Sequence, residues 1–164
     1  MKAWFCKGTL AAAVACLTLG CAALAQAESC SNASLKGKYG QTISGEILAG
    51  PGIVLPQNGV AMTRFDGNGK FAQLDFVVIN GSPTSAGFNP ETGTYKVNSN
   101  CTGTATINYQ DGTVINLKLA VVNGGREFRT VVSSLTLAGH PAPANIGSSG
   151  VRVGDADGDS DNHD

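Results

Sequence analysis

Hydrophobic and polar residues alternate along short segments of this chain, and glycine-rich turns separate those segments. The clearest turns are FDGNG (65–69), QDG (110–112) and NGG (123–125). Alternating segments joined by Asp-Gly or Asn-Gly turns are typical of β-hairpins. Because no segment after residue 27 has helical periodicity, the pattern predicts an all-β fold.

The same pattern predicts eight strands. They cover residues 36–48, 60–65, 70–79, 93–98, 102–109, 113–122, 126–137 and 146–153. The stretches AGPGIVLPQNG (49–59) and NGSPTSAGFNPET (80–92) are predicted as loops, since proline and glycine interrupt strand pairing. Eight antiparallel strands without a helix form either a sandwich or a closed barrel. We favour the closed eight-stranded antiparallel barrel.

The parity of each turn predicts which side chains enter the barrel, because strand residues alternate between its two faces. The predicted inner set consists of Tyr39, Gln41, Ile43, Ile47, Ala61, Thr63, Phe65, Ala72, Leu74, Phe76, Val78, Tyr95, Val97, Thr102, Thr104, Thr106, Ile115, Leu117, Leu119, Val121, Phe128, Thr130, Val132 and Ser134. The intervening polar residues, Gln73 and Asp75 among them, are expected to face solvent.

This predicted interior holds two tyrosines and several hydroxyls but no carboxylate, histidine or lysine. General acid–base catalysis needs a titratable group close to the substrate, and a phenol with a pKa of about 10 is a poor base. The sequence therefore predicts no catalytic residue and no cofactor. A register shift of one residue would overturn this inference by bringing Glu46, Arg64 or Asp75 inward.

Residues 1–27 resemble a secretory signal peptide. A basic start precedes an apolar stretch at 8–24, and Ala-Gln-Ala at 25–27 fits a signal-peptidase site. A lipoprotein attached through Cys21 is the alternative, although Thr18 stands where such sites usually carry leucine. We expect a secreted or periplasmic protein with its barrel at residues 28–153.

Only Cys30 and Cys101 remain once the signal peptide is removed. Two cysteines in an exported chain predict one disulfide. Closing a loop of this length stabilises a protein by roughly 4 kcal/mol in the chain-entropy model. A metal or catalytic thiol is the alternative, but His140 and His163 lie far away in loop-like sequence. We expect the disulfide and no metal site.

Charge is unevenly distributed along the chain. Residues 28–153 carry nine Lys or Arg and seven Asp or Glu, whereas five aspartates fall in the last eleven residues (154–164), which we expect to be a disordered tail. The sequence has no basic stripe with interleaved aromatic residues, which is the pattern that indicates nucleic-acid binding. The predicted registers leave Val77, Ile79, Val122 and Val131 outward, where they would suit a dimer or another partner.

Four segments carry a family resemblance: SLKGKYG (34–40), FDGNGKF (65–71), TGTYKVNSNCTGTATI (92–107) and VVNGGREFRTV (121–131). In this order they resemble secreted bacterial proteins similar to the allene oxide cyclase-like barrels. The resemblance covers most of residues 30–135, and NIGSSGVRV (145–153) is similar to the closing strand of that family. It implies an eight-stranded, lipocalin-like (calycin) barrel, some relatives of which are cyclases acting on hydrophobic substrates. It carries over no catalytic residue.

We expect this barrel to bind a small hydrophobic molecule, because eight strands can enclose one small ligand or be filled by their own side chains. The expected ligand-lining residues are Tyr39, Gln41, Thr63, Phe65, Phe76, Tyr95, Thr104, Thr106, Leu119, Phe128 and Thr130. Two alternatives remain open at this stage. One is a cyclase or isomerase-type enzyme, and the other is a filled barrel serving as a structural or surface-interaction module.

Overall fold

A computed structural model describes residues 29–154 and confirms an antiparallel barrel of eight long strands. The strands are β1 (Gly37–Gly50), β2 (Ile53–Phe65), β3 (Lys70–Ile79), β4 (Asn89–Val97), β5 (Thr102–Asn108), β6 (Val114–Val122), β7 (Glu127–Leu137) and β8 (Ala144–Gly154). Two short 3₁₀ helices, η1 (Asn32–Leu35) and η2 (Asn123–Gly125), accompany them. The predicted signal peptide and all of the acidic tail after residue 154 lie outside the described residues.

Every strand pairs with its neighbours in the chain, which gives a simple up-and-down order. The barrel closes because β8 pairs with β7 along one side and with β1 along the other. Closure removes the exposed strand edges that otherwise invite aggregation. Two additional two-residue strands, Ser82–Pro83 and His140–Pro141, extend β3 and β7 at one end.

The two ends of the barrel are built differently. At the closed end lie η1, η2 and the turns that join β2 to β3 and β4 to β5. At the open end lie the β1–β2 turn (51–52), residues 80–88, the β5–β6 turn (109–113) and residues 138–143.

Helix η1 seals the closed end. Its Leu35 is completely buried and lies over the interior. Arg152 Nη2 donates hydrogen bonds to the Ser34 carbonyl (3.2 Å), the Tyr39 hydroxyl (2.8 Å) and the Gly125 carbonyl (3.1 Å). Any Cβ on Gly125 would lie 2.0 Å from the Ser34 carbonyl oxygen, so only glycine allows η1 and η2 to approach this closely.

The predicted disulfide between Cys30 and Cys101 is confirmed, and it ties η1 to the turn after β4. Backbone contacts support the same junction, since Cys30 N–H donates to the Ser99 carbonyl (3.2 Å) and Val97 N–H donates to Asn32 Oδ1 (2.7 Å). A disulfide is compatible with an extracellular or periplasmic location.

An aromatic cluster fills the interior next to η1. Its ring centroids lie 5.0–5.6 Å apart, at the distances of edge-to-face and tilted pairs. The rings belong to Tyr39, Phe65, Phe71, Tyr95 and Phe128. A smaller apolar cluster around Ile47, Leu135 and Ile146 lies toward the open end.

The predicted loop at 49–59 is wrong, because β2 begins at Ile53 and pairs with β1 along almost its whole length. The connection is only the turn at Pro51 and Gly52, so β1–β2 is the longest hairpin of the barrel. Pro56 is tolerated because the pairing of β2 with β3 starts only at Gln57. Its carbonyl still accepts a hydrogen bond from Asn80 N–H (2.7 Å).

The predicted register of β3 is also wrong by one residue. Phe65 pairs directly with Phe71, which leaves five residues between the partners, whereas the predicted inner set requires an even number. The inner face of β3 therefore carries Phe71, Gln73, Asp75, Val77 and Ile79, while Ala72, Leu74, Phe76 and Val78 face outward.

The predicted inner and outer faces of β5 are exchanged for the same reason. Asn108 pairs with Val114, again with five residues between the partners, so Gly103, Ala105 and Ile107 point inward. The predicted inner threonines, at positions 102, 104 and 106, lie on the outer face instead. In both turns a glycine with positive φ, Gly69 or Gly112, precedes the last turn residue and gives the odd length.

In β7 a bulge changes the face of one predicted residue. The register shifts between Asn116 and Leu117, whose partners are Ser134 and Val132. The extra residue turns Ser134 outward and brings Leu135 into the core. The rest of the predicted β6–β7 hairpin is confirmed, since Leu119, Val121 and their partners on β7 are buried.

We expect that replacing both cysteines by serine lowers the free energy of unfolding by about 4 kcal/mol, since the bridge closes a loop of 71 residues. Urea denaturation of the oxidised wild type and the C30S/C101S variant measures this difference. An unchanged denaturation midpoint would show that the η1 contacts hold the closed end without the disulfide.

Candidate functional site

A chain of hydrogen bonds runs around the inside of the barrel. On one side the Thr130 and Ser148 hydroxyls are 2.7 Å apart, and Ser148 donates to Gln41 Oε1 (3.3 Å). Gln41 Nε2 and Thr63 Oγ1 both donate to Gln73 Oε1, over 3.3 and 3.0 Å. These side chains satisfy one another, which is what makes polar residues tolerable in a barrel interior.

This series of hydrogen bonds ends at the carboxylate of Asp75. Asp75 is 1% exposed, and its Oδ2 accepts hydrogen bonds from Gln73 Nε2 (3.2 Å) and from the Tyr109 hydroxyl (2.8 Å). Burial raises the pKa of Asp75, although both hydrogen bonds oppose this by stabilising the charged form. The pKa of Tyr109 is also raised, first by burial and then by the adjacent Asp75.

A second carboxyl group lies on the neighbouring strand. Glu91 of β4 pairs with Gln73 of β3, is only 4% exposed, and has an Oε2 atom without a hydrogen-bond partner. Burial, followed by the negative charges of Asp75 and Asp111, raises the pKa of Glu91 to about 7. Glu91 therefore changes its charge near neutral pH.

Four cavities border these groups. One of them, an outer groove of about 440 Å³, borders Gln73 and Glu91 and also contains Lys38 and Arg64. The other three lie inside the barrel or at its open end. The inner cavity, of about 60 Å³, lies among the aromatic cluster and the hydrogen-bonded chain. The mouth cavity, of about 160 Å³, lies at the open end, and the side cavity, of about 240 Å³, lies beneath residues 84–90 and is lined by Glu91.

The cavities adjoin one another. The inner and mouth cavities share five lining residues, namely Gln57, Val77, Tyr109, Ile115 and Ile146. The mouth and side cavities share Thr84, Asn89, Tyr109 and Asp111. Tyr109 is common to all three, and its hydroxyl donates a hydrogen bond to Asp75, which itself lines none of them.

The structure brings most of the predicted lining residues together. Six of them surround the inner cavity: Gln41, Thr63, Phe65, Leu119, Phe128 and Thr130. Tyr39 and Tyr95 also point inward, but they pack at the closed end, where their hydroxyls donate to the carbonyls of Gly125 and Asn32. Contact of any of these residues with a ligand stays a prediction.

Three predicted lining residues face away from the interior. Phe76 lies on the outer face of β3, where its ring is 6.0 Å from that of Phe88. Thr104 pairs with Lys118, and Thr106 donates to Asn116 Oδ1 (2.8 Å), on the outer face of β5 and β6. The five-residue turns at 66–70 and 109–113 account for all three, because an odd turn length exchanges the inner and outer faces of the predicted strand.

The functional groups missed in the sequence are Asp75 and Glu91. The signal for Glu91 is present in NPETGTYKV, because counting back by two from inward Tyr95 through Gly93 reaches Glu91. The proline at position 90 led to a predicted loop there, but β4 begins at Asn89. Asp75 would face solvent if the turn before β3 had an even number of residues, as the predicted register requires. The turn has five residues, so Asp75 points inward.

The expectation of an outward apolar surface holds for Val122 and Val131, which are exposed, but is wrong for Val77 and Ile79, which point inward. Exposed apolar residues also gather on β2, β3 and β8, at Val60, Met62, Leu74 and Val151. Dimer formation stays a prediction.

Within residues 29–154, no group of three or more His, Cys, Asp or Glu side chains is arranged to hold a metal ion. The described part of the chain also contains no helix with the length and hydropathy needed to cross a membrane.

We expect the stability of the protein to fall as the pH rises from about 4.5 to 7, because folded Glu91 keeps a proton that the unfolded chain releases in this window. Glu91→Gln should flatten this dependence and stabilise the protein by about 1–3 kcal/mol at pH 8. Urea denaturation at several pH values measures the slope. Glu46→Gln, at an outward position on β1, is the control. An equal slope in the Glu91 variant would contradict the expectation.

No protein-family model and no curated protein matches the chain. Among solved structures, the S-type phycobiliprotein lyase CPES from Guillardia theta is similar, with a TM-score of 0.48 and 7% sequence identity. The match covers 76% of this chain and 91% of the lyase.

Proposed function

We propose that this protein is a secreted or periplasmic barrel that binds a small, largely hydrophobic molecule through its open end. The observation that carries the proposal is that the inner and mouth cavities lie next to each other, with the five lining residues named above in common. The sealed opposite end leaves the open end as the way in.

The size of the cavities limits the ligand. The inner cavity of about 60 Å³ has the volume of about two liquid waters. The mouth cavity, at about 160 Å³, is close to the engineered apolar cavity of about 150 Å³ that binds benzene. Drug-sized ligands need about 300 Å³ or more. A molecule of one ring fits the mouth, and a larger one would require the shared side chains to move.

The lining favours a ligand with an apolar body. The mouth cavity is walled by apolar side chains such as Ile47, Ile79 and Leu135. Its polar lining residues are Gln57, Thr84, Asn89, Tyr109, Asp111 and Thr113. Apolar walls with a small number of convergent polar groups are typical of small-molecule sites. The apolar walls supply most of the binding free energy, and the polar groups orient the ligand.

We expect benzyl alcohol to bind the protein with a Kd of about 0.1–10 mM, as calorimetric titration would measure for a ligand of this size. Val77→Phe, at a position that lines both the inner and the mouth cavity, should weaken this binding at least about tenfold by filling cavity space. Val78→Phe adds the same side chain on the outer face and should leave binding within about twofold. Absence of saturable binding, or equal losses in both variants, would contradict the proposal.

A second function is favoured by Glu91. A carboxyl group whose pKa is about 7 can both accept and donate a proton at physiological pH, and Glu91 lines a cavity beside Asp75 and Asp111. An isomerase- or cyclase-type reaction, in which a proton leaves one carbon of a bound hydrophobic substrate, would use such a group. Tyr109 would then keep Asp75 hydrogen-bonded while Glu91 exchanges its proton.

If Glu91 transfers protons to and from a bound ligand, the protein should accelerate hydrogen–deuterium exchange at the α-carbons of cyclopentanone in D₂O. Glu91→Gln should slow this exchange by about 100-fold or more, the usual contribution of a general base, while Glu46→Gln should not change it. Proton NMR follows the loss of the α-signal. Exchange at equal rates in the wild type and the Glu91 variant would exclude this second function.

A further inference from the structure

We propose that the open end of the barrel selects a ligand whose polar end is a protonated amine, and that Glu91 is the group that binds it. The apolar body of the ligand would occupy the mouth cavity. The inference rests on the proposed binding function and adds the chemical class of the ligand to it.

The first observation is the unsatisfied oxygen of Glu91. Its Oε2 is buried and has no donor among the described residues, whereas both donors around Asp75 are in place. A buried carboxylate without a hydrogen-bond donor is costly, and such groups are rare outside functional sites. An ammonium group in the side cavity would supply the missing N–H donor together with the compensating charge.

The second observation is the sign of the charges that face Glu91. Asp75 approaches it from β3, Tyr109 from the end of β5 and Asp111 from the turn that follows. Glu91 also borders the outer groove that contains Lys38 and Arg64, but none of the residues that line the mouth and side cavities is a lysine, arginine or histidine. The site therefore holds negative charge without an internal cation, which favours a cationic ligand and disfavours an anionic one.

The charge of the whole barrel supports this polarity. Eight of the nine Lys and Arg side chains in residues 29–154 lie within two residues of the strand ends at the closed end, and Lys118 is the exception in the middle of β6. In contrast, four of the six Asp and Glu residues lie toward the open end, namely Glu46, Asp75, Glu91 and Asp111. A cation that approaches the barrel is therefore attracted to its open end.

An organic cation fits this site better than a metal ion. Calcium takes six to eight oxygen ligands, and no set of three or more Asp, Glu, His or Cys side chains in the described residues is arranged to coordinate one. An ammonium group has three N–H donors. Glu91, Asp111 and the Tyr109 oxygen, which line the same cavity, are enough acceptors for it.

Binding of an amine should be coupled to the proton of Glu91. Below the pKa of about 7 the carboxyl group is protonated, and the cation must displace that proton. Above this pH the carboxylate is already charged, so the affinity for an amine should rise with pH, whereas the affinity for a neutral alcohol should not.

The test is calorimetric titration of the purified protein with benzylamine, benzyl alcohol and benzoate, which share one ring and differ in charge. At pH 8 we expect benzylamine to bind at least about tenfold more tightly than benzyl alcohol, the usual gain from a charge-assisted hydrogen bond, and benzoate not to bind. At pH 5.5 the preference for the amine should fall to about threefold or less. Glu91→Gln should remove the preference at pH 8 and keep benzyl alcohol binding, whereas Glu46→Gln should keep the preference.

The outcomes separate the two proposals. If benzyl alcohol binds and benzylamine binds equally well at both pH values, the amine selectivity is wrong and the binding function stands. If none of the three compounds binds, the binding function itself is overturned. If Glu46→Gln removes the preference as fully as Glu91→Gln, the selectivity comes from the general field of the open end, and the assignment to Glu91 is wrong. If Glu91→Gln does not fold, the wild type alone still tests the proposal. A preference for benzylamine over benzyl alcohol that is equal at pH 8 and pH 5.5 would contradict it.

Discussion

The interior of this barrel depends on the parity of its turns. Each strand sends alternate side chains inward, so adding one residue to a turn exchanges the inner and outer sets of the next strand. In two turns the odd length is held by an aspartate: Asp66 Oδ1 accepts from Asn68 N–H (2.7 Å) and Lys70 N–H (3.0 Å), and Asp111 Oδ1 accepts from Thr113 N–H (2.8 Å). These short-range hydrogen bonds decide that Asp75 is inside the barrel and that the β5 threonines are outside.

Placing Asp75 inside has consequences for its neighbours. A buried carboxylate must be hydrogen-bonded or it destabilises the fold. Gln73 and Tyr109 provide this support, and Gln73 in turn accepts from Thr63 and Gln41. The polar chain is therefore a supporting network for one carboxylate. Glu91, which adjoins it through the pairing of β3 with β4, receives no such support on Oε2.

Much of the fold follows from local sequence signals, because strand and turn residues act over short distances. The eight strands, the disulfide and the inner face of β1, with Tyr39 and Gln41, could all be predicted in this way. The candidate site could not, since it depends on whether two turns contain an even or an odd number of residues. Asp-Gly-Asn-Gly is compatible with both lengths, and the hydrogen bonds of Asp66 stabilise the odd one, in which Phe65 pairs with Phe71. Composition is of no help, because a carboxylate at position 75 looks like an ordinary solvated residue until its register is known.

The closed end of the barrel contributes stabilising contacts, and the open end contains the candidate site. At the closed end, Arg152 donates a hydrogen bond to Tyr39, the disulfide joins Cys30 to Cys101, and the aromatic rings pack against one another. Gly125 permits the close contact of η1 and η2. At the open end the fold retains an unsatisfied oxygen on Glu91 beside two further carboxylates, an arrangement that lowers stability at neutral pH. A sequence selected only for stability would place glutamine or an apolar residue there. Within residues 29–154, Glu91 Oε2 is the only buried side-chain oxygen or nitrogen without a hydrogen-bond partner, and a local departure of this kind is expected at functional sites. A ligand that supplies the missing donor would remove the destabilisation and would be bound more tightly for that reason.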